Sequence, residues 1–141
     1  MKVFFDTNIL LNGPFGEPGG PASDRCITLC SGGIHEGWIA WHMLSNAHYI
    51  VRARSKSGSV ALQFINDLLT WADIATTAKP GAFAAIASGM SDFEDALQVA
   101  AASACAADTI LTRNLTDFKT SPIPVMTPEA FLAAYAPILV P

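Results

Sequence analysis

Asp6, Glu94, Asp95 and Asp117 are the side chains of this sequence whose type and spacing are best suited to chemistry. Asp6 ends the apolar run Lys2-Val3-Phe4-Phe5 and is followed by Thr7-Asn8-Ile9-Leu10. Glu94 and Asp95 open an alanine-rich helical stretch, and Asp117 follows a second apolar run, Thr109-Ile110-Leu111-Thr112. Separated carboxylate positions, each beside a buried element, are what a divalent metal site needs. Hard cations such as Mg²⁺ or Mn²⁺ take oxygen ligands and keep several waters and a substrate phosphate. The chemistry such a set supports is metal-assisted phosphodiester cleavage.

The elements that must position these acids can be read from the pattern of apolar residues. Residues 2–5 read as a buried strand, and residues 13–21 as a loop rich in Gly and Pro. A helix follows from Ala22 to Ser31 and stops at Gly32-Gly33. Residues 37–40 read as a second strand, and a helix runs from Trp41 or Met43 to Arg54. Lys56-Ser57-Gly58-Ser59 breaks it, and residues 60–71 show helical spacing of Val60, Leu62, Phe64, Ile65, Leu68, Leu69 and Trp71. Residues 73–77 are a candidate third strand, and Pro80 opens a short helix through Ala87.

Ser91 with Glu94, or Asp92 with Asp95, has capping-box spacing at the start of a helix that runs to Ala106. Residues 108–112 and 124–126 complete the strands, and Thr127-Pro128 starts the last helix. Strands alternating with helices predict an α/β fold with a mainly parallel sheet. In such sheets sites form beyond the carboxyl ends of the strands. That rule brings Asp6, the Glu94-Asp95 helix start and Asp117 to one rim.

The chain of 141 residues fits one domain, residues 1–141, with one core. Hydrophobic residues make up 51% and charged residues 14%, which excludes a disordered chain. No apolar run has the length of a membrane span, no signal peptide is evident, and the short apolar tail of residues 136–141 is too short to anchor the chain. A cytoplasmic location is the expectation. Cys26, Cys30 and Cys105 read as core residues, not as a disulfide or zinc framework. The net charge of −4 is not that of a general nucleic-acid binder. Arg52, Arg54 and Lys56 form a local basic cluster, either a solvated helix end or a guide for a phosphate backbone.

The pieces Phe5-Asp6-Thr7-Asn8-Ile9-Leu10-Leu11, Ser91-Asp92-Phe93-Glu94-Asp95-Ala96-Leu97 and Thr112-Arg113-Asn114-Leu115-Thr116-Asp117-Phe118 resemble the PIN-domain family. Within it they are similar to the VapC-like ribonuclease toxins, and Val125-Met126-Thr127-Pro128-Glu129-Ala130-Phe131-Leu132 resembles the way those chains end. The resemblance implies a PIN-like three-layer fold, with a central sheet of about five strands flanked by helices. It also implies a Mg²⁺- or Mn²⁺-dependent endoribonuclease acting on RNA, the toxin of a toxin–antitoxin pair. A homodimer and a cognate antitoxin are the implied partners, with Trp38, Trp41 and the Phe15 loop as candidate antitoxin contacts.

On this resemblance Asp6, Asp95 and Asp117 match the family's metal-binding acids, with Glu94 beside them. The alternatives are a cap or Asx-turn for Asp6, a dipole-favouring first turn for Glu94 and Asp95, and a turn residue for Asp117. Asp92 fits the cap best. Asn8, Thr112 and Asn114 are expected to support the carboxylates, and Arg113 to contact a phosphate or to lie at the surface. Asn46 stands where many family members carry an acid on the helix after the second strand. It brings an amide oxygen but no charge. His42 and His48 read as structural or surface residues.

Two rival functions follow from the same residues. If Asn46 marks a weakened metal site, the fold serves as an RNA- or protein-binding module. A phosphatase with Asp6 as nucleophile would need a second acid two residues on, and that position is Asn8.

Overall fold

The computed structural model describes residues 1–137; the apolar segment from residue 138 to the end lies outside the described residues, and with it most of the expected tail. In chain order the elements are β1 (Lys2–Phe5), α1 (Thr7–Asn12), α2 (Gly20–Ser31), β2 (Glu36–Ala40), α3 (Met43–Ser55) and α4 (Gly58–Leu68). They continue with β3 (Ala72–Ala75), α5 (Lys79–Ala87), α6 (Phe93–Ala104), β4 (Thr109–Leu111), β5 (Val125–Met126) and α7 (Pro128–Tyr135).

The strands form one sheet of five in the order β3-β2-β1-β4-β5, and every pairing is parallel. β1 is central, so Val3, Phe4 and Phe5 are all fully buried whichever face they point to. A continuous apolar run is what a parallel strand covered on both faces requires. Phe4 pairs with Trp38 on one side and Ile110 on the other. The core continues through Ile9, Leu10, Ile39, Met43, Leu111, Phe118 and Phe131. Cys26, Cys30 and Cys105 are buried thiols in that core, and burial pushes the first two up to about 12.

The chain moves outward from β1 to β3, then returns across the sheet to place β4 on the other side of β1. The helices pack in two groups, α1 on α2 and α3, α2 on α7 and α3 on α4 in one, and α5 on α6 in the other. The point where the direction of winding reverses, between β1 and β4, is where an open parallel sheet leaves a crevice beyond its carboxyl ends. The ladder runs one residue past both strands, since the Asp6 amide donates to Leu111 O at 3.0 Å and that of Thr112 to Met126 O at 3.0 Å.

Three differences from the sequence reading have local causes. Thr7–Asn12 is a helix of its own, α1, although its residues continue the apolar character of β1. The break after α3 is shorter than Lys56–Ser59, because Ser57 caps α4 by accepting from the Val60 amide at 3.2 Å. Trp38 and Phe15, candidate antitoxin contacts, are partly buried against the core, which leaves each with only part of its surface exposed. Trp41, the third, is 69% exposed.

A candidate metal centre at the sheet's switch point

Asp6 occupies the N-cap position of α1, but its carboxylate does not cap the helix. Instead Thr112 Oγ1 donates to Asp6 Oδ2 at 2.7 Å and Gln98 Nε2 donates to Oδ1 at 3.0 Å. The side chain is buried and aimed at the crevice between β1 and β4. Burial raises its pKa, hydrogen bonds from Gln98 and Thr112 oppose the rise, and the Glu94 charge adds to it.

The other acids come from α6 and from the turn after β4. Asp92 Oδ1 accepts from the Asp95 amide at 3.0 Å and so caps α6. The helix start thereby faces Glu94 and Asp95 into the same crevice, and Asp92, Glu94 and Asp95 each offer a carboxylate oxygen within 4.8 Å of the others. Glu94 accepts from Gln98 Nε2 at 2.9 and 3.0 Å and lies 3.1 Å from His42 Nε2. Burial pushes Glu94 up, but the His42 and Gln98 contacts outweigh it and leave the pKa lowered. Asp95 is pushed up to about 7 by burial, then by the negative charges of Asp92, Asp6 and Glu94. Asp117 is exposed on the turn, where Asn114 Nδ2 donates to its Oδ2.

These residues line a single open cleft of about 630 Å³, together with Thr7, Asn8, Ser45, Asn46, Tyr49 and Ile50. Among the described residues its walls carry five carboxylates and neither lysine nor arginine. Like charges at such spacing raise one another's pKa, as Asp95 shows, unless a cation joins them. Every side-chain donor the acids could offer an ion is oxygen, which suits a hard divalent cation and not a soft one. The residues therefore fit Mg²⁺ or Mn²⁺.

The structure brings Asp6, Glu94, Asp95, Asp117, Asn8, Asn46 and Asn114 to this one cleft and sets Thr112 beneath it on Asp6. It does not bring Arg113 there. That guanidinium turns to the far side of α1, where it bonds Glu129 at 2.9 Å, Gly19 O at 2.7 Å, Asn12 Oδ1 at 3.1 Å and Ser23 Oγ at 3.2 Å. With its donors engaged it is a structural residue, not a phosphate contact. Sequence reasoning missed Gln98 and the His42–Glu94 contact. The spacing of Glu94 and Gln98, one helical turn apart, was the available signal for the first. The second joins residues far apart in the chain and has no local signature.

The profile of the family described as PIN domain matches residues 2–116, from β1 to just before Asp117. No curated protein sequence matches the chain. Among solved structures, the fold is similar to VapBC2 from Rickettsia felis bound to a DNA fragment from their promoter. That likeness has a TM-score of 0.68 and 18% identity, over 90% of this chain and 98% of the other. It is also similar to FitAB bound to an IR36 DNA fragment, with a TM-score of 0.65 and 15% identity, over 89% of this chain and 94% of the other. At such identities the likeness is one of fold.

Proposed function

The chain belongs to the PIN-domain family, and from that premise we propose that it is a metal-dependent endoribonuclease, the toxin of a toxin–antitoxin pair. The observation that carries the reading is the Asp6 carboxylate. It sits at a helix N-cap yet is held away from the cap, by Thr112 and Gln98, inside a cleft of five acids.

Asp6, Asp95 and Asp117 are the residues that would hold Mg²⁺ or Mn²⁺, with Glu94 adding charge and Asn46 an amide oxygen. When bound, such an ion supplies Lewis acidity that activates water and offsets charge on a phosphate oxygen. The chain's own side chains do the rest. Thr112 and Gln98 fix the orientation of Asp6, and Asn114 that of Asp117. Asp95, with a pKa of about 7, is ready to give up a proton as positive charge arrives. Tyr49, 74% exposed on the cleft wall, offers a face on which an RNA base can stack. Arg52, exposed one turn after Tyr49 on α3, is the cation proposed in place of Arg113 to meet a phosphate.

The proposed partners are an antitoxin and a second copy of the chain. Phe83 and Ile86, one turn apart on α5 and 60% and 67% exposed, are apolar surface such a partner could cover. Among the described residues no helix is long and apolar enough to cross a membrane; a cytoplasmic setting is part of the proposal.

The test is incubation of the purified protein with a mixed structured RNA, in Mg²⁺ or Mn²⁺ and in EDTA, beside Asp6→Asn. Cleavage that needs metal and is lost in the variant supports the reading. Full activity in Asp6→Asn would remove the site assignment. Asn46, neutral and lining the cleft, favours the second reading of an RNA- or protein-binding module. Calorimetry with no Mn²⁺ binding at millimolar metal would select that one.

A further inference from the structure

Gln98 lies on α6 one turn after Glu94 and is fully buried. Its Nε2 is 3.0 Å from Asp6 Oδ1 and 2.9 and 3.0 Å from the two oxygens of Glu94. One amide group thus serves two carboxylates from different elements, the end of β1 and the first turn of α6. The orientation follows from its neighbours, since the opposite flip would set an amide oxygen against carboxylate oxygens. The cost falls on Gln98 Oε1, which is buried with no hydrogen-bond partner among the described residues.

An unpaired buried acceptor costs about 1–3 kcal/mol. Leucine or methionine would fill the same volume without that cost, so packing does not account for a glutamine at this position. Its donors do. A lysine or arginine could also bind both acids, but it would neutralise them and occupy the place of a cation. The amide orients the pair and leaves their charge intact. Asp6 then has one donor on each oxygen, Gln98 on Oδ1 and Thr112 on Oδ2. Each carboxylate oxygen retains a second acceptor site for another ligand.

We infer that Gln98 is the positioning residue of the cleft, tying Asp6 to Glu94 so that both are set for a divalent cation before it arrives. This rests on the metal-dependent reading above and adds a residue to it. Groups that orient metal ligands are worth about 10–100-fold in metal affinity.

The experiment is Mn²⁺ titration by calorimetry of the wild-type protein and Gln98→Met, with thermal melts of both in EDTA. The expected result is Mn²⁺ binding weakened about 10–100-fold, with the metal-free Tm showing that the variant is folded. In RNA cleavage the Mn²⁺ concentration for half-activation rises by the same factor. Gln98→Asn, which retains the amide on a shorter stem, falls between the two and serves in its place if Gln98→Met does not fold. Wild-type affinity in the variant tested, with or without a lowered Tm, overturns the role of Gln98 and leaves the metal reading standing. Absence of Mn²⁺ binding by the wild type overturns both.

Discussion

Helix α1 separates two polar clusters of opposite design. Beyond its C-terminal end, Glu129, Arg113, Asn12, Glu17 and Arg54 form one chain of hydrogen bonds with two arginines and two glutamates. Every charge there has a partner. At its N-terminal end, Asp6, Asp92, Glu94, Asp95 and Asp117 gather, with His42 against Glu94. Both clusters are built from the same kinds of residue, and consecutive positions, Thr112 and Arg113, feed one each. Matched charge holds elements in place and asks for nothing more. Unmatched charge is left under strain: burial first, and then the neighbouring acids, raise the pKa values of Asp6 and Asp95, and a ligand of opposite sign relieves both.

Substitutions can push each cluster toward the character of the other. The largest effect is expected from Asp6→Asn, which should lower metal-dependent RNA cleavage by at least about 10²-fold, in the range of losing one major electrostatic contact to a transition state. Its Tm in EDTA should not fall. Rate assays at saturating RNA and melts together check this, and a wild-type rate would return Asp6 to the balanced class.

Arg113→Met should do the reverse. It removes the Arg113 bonds to Glu129, Gly19, Asn12 and Ser23 and should cost about 1–3 kcal/mol of stability, while the Mn²⁺ affinity stays at the wild-type value. Denaturant melts read the first and calorimetry the second; a weakened ion affinity would place Arg113 in the metal centre after all. Gly19→Ala strikes the same cluster through the backbone. Gly19 has φ 81°, and a Cβ there would overlap the Arg113 guanidinium. A loss of about 1–2 kcal/mol is expected from the left-handed backbone alone, again with the cleft unchanged.

A smaller effect, dependent on pH, should come from Asp95→Asn. The unfolded chain ionises Asp95 near 3.8 and the folded one near 7. Between these values the unfolded state binds fewer protons, so the wild-type protein loses stability as pH rises through the window. In EDTA the variant should therefore melt above the wild type at pH 8 and with it at pH 4. Added Mn²⁺ should reverse the order at pH 8. Equal melting at both pH values would show that Asp95 is not under the strain described. The smallest effect belongs to Arg54→Ala, which removes an exposed ion pair with Glu17 and should leave cleavage and Mn²⁺ affinity unchanged.

The order and type of the strands were legible because β1, β2 and β4 are short apolar runs bounded by turns, and α6 announces itself with Asp92 as cap. Helix α1 was not, since Thr7–Asn12 is short, opens without a side-chain cap and continues the apolar character of β1. The four acids were legible as residues at element ends, where parallel topology sends them to one rim. What escaped was direction and pairing. Arg113 follows Thr112 directly, yet the residue that claims it, Glu129, belongs to α7 and could not be chosen from sequence. Gln98 carries no charge and sits in an apolar helix face, so it reads as core until Asp6 is placed beside it.

The central place of β1 has a consequence for how the protein is made. During synthesis β1 must wait for β4, more than a hundred residues later, before its second edge is paired. Asp6 and Thr112 meet only then. Such distant pairing slows folding, and synthesis at roughly 5–20 residues per second keeps the two halves of the cleft apart for seconds. The acids of the cleft come together only once β4 has been made and has paired with β1.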